Sequence, residues 1–173
     1  MNIVLIGYRG TGKSSVAKVL AQRLTWPVVS TDAEIVKQVG MSIPELIHRH
    51  GWDYFRTVES EICRWVGTQD RTIIDTGGGA ILRKDNVAVL RQRSRVFWLT
   101  AEVATIMERI KDSTERPSLT GAKTAVQEVQ DVLKERLSLY QAACDHIIPT
   151  DGRSLDDIAE EILHLAVTRS TST

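Results

Sequence analysis

The chain has 173 residues, with 22 Lys plus Arg against 22 Asp plus Glu, and 42% of its residues are apolar. That length fits one domain, residues 1–173, with a core that needs no staples, and a net charge of zero argues against a surface made for nucleic acid or anionic membrane. Cys63 and Cys144 are too few and too far apart for a disulfide framework or a metal site, so both are expected as reduced thiols on packed faces.

The N-terminal MNIVLIG lacks a basic region ahead of its apolar run, and no apolar run approaches the length of a bilayer span, so a soluble, cytoplasmic protein is expected. Ile3 to Ile6 reads as a buried strand. It passes straight into Gly7-Tyr8-Arg9-Gly10-Thr11-Gly12-Lys13-Ser14 and then into VAKVLAQRL, which has helical spacing. This is a P-loop with strand and helix on the correct sides. Its glycines let backbone N–H groups converge on one concavity at a helix N-terminus, which suits a polyphosphate. Lys13 is placed to reach the β- and γ-phosphates, and the Ser14 hydroxyl to coordinate Mg²⁺.

Pro27 to Asp32 reads as a second strand with a polar end, followed by a helix to about Val39. Ser42-Ile43-Pro44-Glu45 is a capping box with Pro in the first turn, opening a helix that stops at Gly51. Trp52 to Val66 is helical, with Phe55, Val58, Ile62 and Trp65 expected on one face. Thr72 to Asp75 is a third strand running into Thr76-Gly77-Gly78-Gly79. After it come a helix near Asp85 to Arg93, a strand Arg95 to Leu99, and a helix Ala101 to Lys111. The stretch from Asp112 to Lys123 is polar and aperiodic and is expected as a mobile loop. A helix Ala125 to Tyr140, a strand His146 to Pro149 and a helix Leu155 to Val167 complete the pattern, before a tail expected to fray.

Strands and helices alternate strictly, which predicts an α/β fold: a parallel sheet with helices on both faces. Ligands in such folds bind at the carboxyl ends of the strands. The loops after strands one, two and three should therefore share a crevice.

Several residues near that crevice could carry chemistry, each with a plainer use beside it. Asp32 could orient or deprotonate a hydroxyl acceptor, or equally cap the next helix. Gly77 to Gly79 bring bare backbone to the crevice, beyond what a tight turn requires. Arg116 could swing onto phosphates as its loop closes, although a lone loop arginine is more often solvated charge. Arg56 and Arg136 suit a substrate carboxylate, but surface pairing with Glu59 or Glu135 is the simpler reading from pattern alone. Asp75, at the end of an apolar strand, has the Walker B position that helps hold Mg²⁺. The absence of Asn-Lys-x-Asp argues against a GTPase. His48, His50, His146 and His164 show no ligand spacing.

Taken together, GYRGTGKS, STD, FRTVES, TGGG, RPSL and ERLSLY stand in an order and spacing that resembles the shikimate kinase family over nearly the whole chain. The resemblance implies a P-loop kinase of the nucleoside monophosphate kinase type: a three-layer sandwich on a five-stranded parallel sheet of order 2-3-1-4-5, with a mobile lid at about 112–124 and substrate-binding helices at about 32–66. It implies transfer of the γ-phosphoryl of Mg-ATP to the 3-hydroxyl of shikimate, toward chorismate and the aromatic amino acids, by a protein expected to be a monomer. Matched motif by motif, Gly10, Thr11, Gly12, Lys13, Ser14 and Ser15 would hold ATP and its metal, and Asp32 would bind substrate hydroxyls and serve as base. Arg56 and Arg136 would clamp the carboxylate, Glu59 would orient Arg56, and Gly78 and Gly79 would offer backbone N–H groups. Arg116 would neutralise phosphate, and Arg109 and Arg153 would flank adenine. Other readings to be weighed are another small-molecule P-loop kinase, of gluconate or nucleotide type, and a weakened binding module.

One departure stands out. The family's second-strand motif is usually Asp-x-Asp, its first Asp holding Mg²⁺ through water, and here it reads Ser30-Thr31-Asp32. Either Asp75 supplies the missing carboxylate from the adjacent strand, or Ser30 still binds a metal water and Asp75 caps backbone.

Overall fold

The computed structural model describes residues 1–111 and 124–167. The expected lid, except Thr124, and Arg116 with it therefore lie outside the described residues. Five strands, β1 (Asn2–Ile6), β2 (Val28–Ser30), β3 (Ile73–Asp75), β4 (Ser94–Thr100) and β5 (His146–Pro149), form one parallel sheet in the order β2-β3-β1-β4-β5. This is the order implied by the resemblance.

The period of two along β1 divides the core. Val4 and Ile6 face one side with Ile74, Val96 and Trp98, under α2 (Thr31–Val39), α3 (Ile43–Gly67), α4 (Lys84–Arg91) and α6 (Ala125–Ala143). Ile3 and Leu5 face the other with Ile73, Phe97 and Leu99, under α1 (Lys13–Leu24) and α7 (Leu155–Val167). Both faces of the sheet are covered, so β1 is buried along its whole length, as parallel sheets require. A smaller cluster joins Tyr8, Ile106 of α5 (Val103–Ile110) and Val129 and Val132 of α6. No helix among the described residues is long and apolar enough to cross a membrane.

Two placements that bear on the site or the core differ from the sequence expectation. The second strand ends at Ser30, because the Ser30 hydroxyl accepts the Ala33 N–H and starts α2 there, so Thr31 and Asp32 are helical. The N-cap is thus Ser30 and not Asp32. The helix opened at Ser42 does stop at Gly51, as expected: Gly51 takes φ 82 and ψ 171, a non-helical conformation that glycine tolerates without strain, and the two helical segments of α3 meet there at a kink. Trp65 is 44% exposed, whereas Phe55, Val58, Ile62 and Val66 are buried. Steps of seven and eleven residues from Phe55 nearly close whole helical turns, so Val66 continues the buried stripe and its neighbour Trp65 falls outside it.

The thiols divide. Cys63 is buried inside the core beneath α3, and Cys144 is half-buried at the end of α6.

Candidate active site

The carboxyl ends of β1, β2 and β3 open on a cleft of about 990 Å³. Gly7, Gly10 and Gly12 hold φ of 144°, 79° and 94°, so the loop after β1 is wound through a left-handed path. Gly12 caps α1 without a side chain, and the first turn carries no acidic residue, so the positive end of the helix faces the cleft. Lys13 is nearly buried, its Nζ donating to Gly7 O (2.9 Å) and Tyr8 O (3.0 Å). Thr11 turns inward instead: its Oγ1 and backbone N–H both donate to Tyr8 O, so its side chain shapes the loop. Gly10, Ser14 and Ser15 line the cleft.

Hydrogen bonds tie the three strand-end loops into one wall. Ser14 Oγ donates to Asp75 Oδ2 at 2.6 Å. The Gly77 N–H donates to Thr31 Oγ1 at 2.9 Å, joining the glycine loop to the start of α2. Asp32, the next residue of that first turn, lines the cleft. Burial raises the Asp75 carboxyl above the usual carboxylate range, against the lowering pull of Lys13 and of the Ser14 hydrogen bond, with the Asp32 charge adding to the rise.

Two guanidinium groups stand at the glycine loop that follows β3. Arg56 Nη1 donates to Glu59 Oε2 at 2.6 Å one turn along α3, and Glu59 is fully buried. The Arg56 guanidinium also lies 4.9 Å from the ring of Phe55 and 5.4 Å from that of Trp52, which fix its plane. Arg136 reaches across from α6, its Nη1 donating to Gly78 O (3.1 Å), the same carbonyl that accepts Tyr140 OH at 2.6 Å. Arg56 packs against Gly79 and Arg136 bonds Gly78, so the two cations meet at consecutive glycines, and both line the cleft that holds Lys13 and Asp32. Gly78 is on the cleft wall, while Gly79 is buried behind it under Arg56.

The remaining expected residues divide. Arg109 lines the cleft and ties its end together, donating to Gly10 O (3.1 Å) and to Thr150 Oγ1 (3.2 Å). Arg153 instead pairs with Glu161 at 2.6 Å and bonds Pro149 O, apart from the residues lining the cleft. The sequence reading passed over Trp52, Tyr8, Arg9 and the Ile43-Pro44 pair, all of them lining residues. The signal available was position: Arg9 and Tyr8 sit within the P-loop itself, and Trp52 follows the kink glycine. Among the lining residues five cationic side chains (Arg9, Lys13, Arg56, Arg109, Arg136) face two acidic ones, Asp32 and Asp75. No group of three or more His, Cys, Asp or Glu among the described residues could hold a metal alone.

Residues 9–166 match the family model of shikimate kinase. The shikimate kinase of Thermodesulfovibrio yellowstonii is 38% identical over 162 residues, covering 94% of this chain and 92% of its own. That of Nitratidesulfovibrio vulgaris is 40% identical over 153 residues, covering 87% of each. Among solved structures, the shikimate kinase from Acinetobacter baumannii in complex with shikimate superimposes with a TM-score of 0.92 at 31% identity, over 99% of this chain and 95% of that one. A model matched over most of the length and relatives at this identity from end to end admit one descent: the chain belongs to the shikimate kinase family.

Proposed function

We propose that this protein transfers the γ-phosphoryl group of Mg-ATP to the 3-hydroxyl of shikimate, with nucleotide along the P-loop and acceptor at the glycine corner. The observation that carries the reading is the convergence of Arg56 and Arg136 on Gly78 and Gly79, inside the same cleft as Lys13. A neutral polyol or a nucleobase has no use for two guanidinium forks at one corner. A hydroxy acid does.

The residues would divide the work as follows. The loop amides and the N-terminus of α1 would hold the phosphate chain, with Lys13 exchanging its loop carbonyls for β- and γ-phosphate oxygens. Arg56 and Arg136 would take the acceptor carboxylate, with Glu59 fixing Arg56. Asp32, on the cleft wall, would accept hydrogen bonds from the acceptor hydroxyls and aim the attacking oxygen. Trp52, Ile43 and Pro44 would form the apolar side against the carbocycle and exclude water. The roles of Arg116 on the phosphates, of the lid at about 112–124 and of Arg153 beside adenine rest on the sequence pattern.

The donor set fits Mg²⁺. A hydroxyl and a carboxylate at the phosphate end are hard oxygen groups, and this ion is ordinarily held by one or two such groups together with substrate phosphates. When bound, it would neutralise charge on the transferring phosphoryl group. A reaction fed by ATP fits the cytoplasm.

Coupled ADP release with shikimate as acceptor tests the reading, with omission of Mg²⁺ as control and gluconate and nucleoside monophosphates as rival acceptors. Turnover dependent on shikimate is expected; turnover with a rival acceptor and none with shikimate would refute it.

A further inference from the structure

Asp75 is a carboxylate in a costly place. It is 6% exposed, so the fold bears an acidic group that a neutral residue would spare it. The fold gives it one evident partner in the cleft, the hydroxyl of Ser14 at 2.6 Å, a length typical of a charge-assisted O–H···O⁻ bond.

That bond has a chemical consequence. A serine hydroxyl has one proton and two lone pairs. With the proton committed to Asp75, the lone pairs are left on the side of the oxygen away from the carboxylate, open to a cation. The oxygen is also made more electron-rich, as an outer carboxylate does for any ligand it accepts a hydrogen bond from.

The neighbouring strand offers nothing equivalent. Ser30 is the register partner of Asp75 across β2 and β3, at the same height in the sheet, but it is uncharged and its hydroxyl accepts the Ala33 N–H as the cap of α2. We propose that Asp75 is the metal-positioning carboxylate of this enzyme, acting through Ser14, so that the anionic support of the Mg-nucleotide site stands at the end of β3 in place of β2. The proposal rests on the Mg-ATP reading of the cleft and deepens it.

The test uses Mn²⁺ and ADP with the intact protein. Free Mn²⁺ is followed by electron paramagnetic resonance, and ADP binding in EDTA by calorimetry. Asp75→Asn keeps an oxygen to accept the Ser14 proton and removes the charge. It is expected to weaken Mn²⁺ binding to the enzyme–ADP complex by tenfold or more, while ADP affinity without metal stays within about twofold or improves. Adding Ser30→Asp to that variant returns a carboxylate one strand away and is expected to recover at least half of the loss, which a purely structural role would not permit. If Asp75→Asn melts below the assay temperature, Asp75→Ser asks the same question.

Mn²⁺ affinity within twofold of the parent, or a loss that Ser30→Asp leaves untouched, overturns the proposal. Neither measurement includes an acceptor. A failure here is therefore separate from a failure of the shikimate reading, which would show as absent shikimate-dependent ADP release.

Discussion

Gly79 lies directly beneath the Arg56 guanidinium: a methyl group on its Cα would stand 2.6 Å from Arg56 Cζ. The glycine is at φ −103° and ψ 0°, a conformation open to other residues, so the constraint is space and not backbone strain. Gly79→Ala should therefore fold, the long arginine side chain shifting against its bond to the buried Glu59 at a cost of about 1–3 kcal/mol. The displaced guanidinium should raise KM for shikimate tenfold or more with kcat much less affected. Unaltered KM in steady-state kinetics would show that Arg56 does not meet the acceptor.

The Arg56–Glu59 pair makes a second prediction, about stability. Both groups are largely buried, with side chains 12% and 0% exposed, so removing one partner strands the other's charge. Glu59→Ala should lose about 3–5 kcal/mol in urea unfolding. Glu59→Gln, which still offers an oxygen to Arg56, should lose less. Equal losses for the two would mean that the lost charge alone, and not packing or the retained oxygen, sets the cost at this position.

Lys13 and Arg136 should separate kinetically. Lys13, nearly buried at the P-loop, is placed to meet charge that develops in the transition state, and Lys13→Ala should lower kcat by ~10² to 10³. Arg136→Ala should mainly raise KM for shikimate, with kcat within several-fold of the parent. Normal turnover for Lys13→Ala would contradict the arrangement proposed.

The Cys63 thiol is pushed up to about 12, first by burial and then by the charges of Glu59 and Asp32. A group whose pKa is higher folded than unfolded contributes stability below its ordinary value that fades as pH rises through the folded one. Between pH 9.0 and about 12 the unfolded chain ionises this thiol while the folded chain does not, so stability should fall with pH, and Cys63→Ala should flatten part of that slope. At pH 8 a thiol-specific disulfide reagent should leave Cys63 unmodified until urea is added. Rapid labelling in the folded protein would refute its burial.

Much of this architecture could be read from the chain because its signals were local. The strand–glycine–helix pattern of residues 3–24, the N-cap at Ser42 and the helix stop at Gly51 each act within a few residues, and each appears in the structure. The errors lay in placement by one or two residues. Whether Trp65 or Val66 joins the core depends on an angle that accumulates along the helix, and whether β2 ends at Ser30 or Asp32 depends on a single capping bond.

The site was less legible. Arg56 and Arg136 are 80 positions apart, and no spacing rule joins them; the family pattern named them, and the meeting of α3 and α6 at Gly78 and Gly79 supplies the reason. The hydrogen bonds from Tyr140 to Gly78 and from Gly77 to Thr31 had no sequence signature, because each depends on which loops the parallel crossovers bring together.

The charges of the whole chain cancel, yet five cations against two acids line the cleft, so the rest of the molecule holds the compensating negative excess. A neutral molecule with such a local excess of cations presents a positive field at the cleft. Anionic nucleotide and hydroxy acid would be turned and drawn toward it before first contact, and capture rates for both should decline as ionic strength shortens the reach of the field.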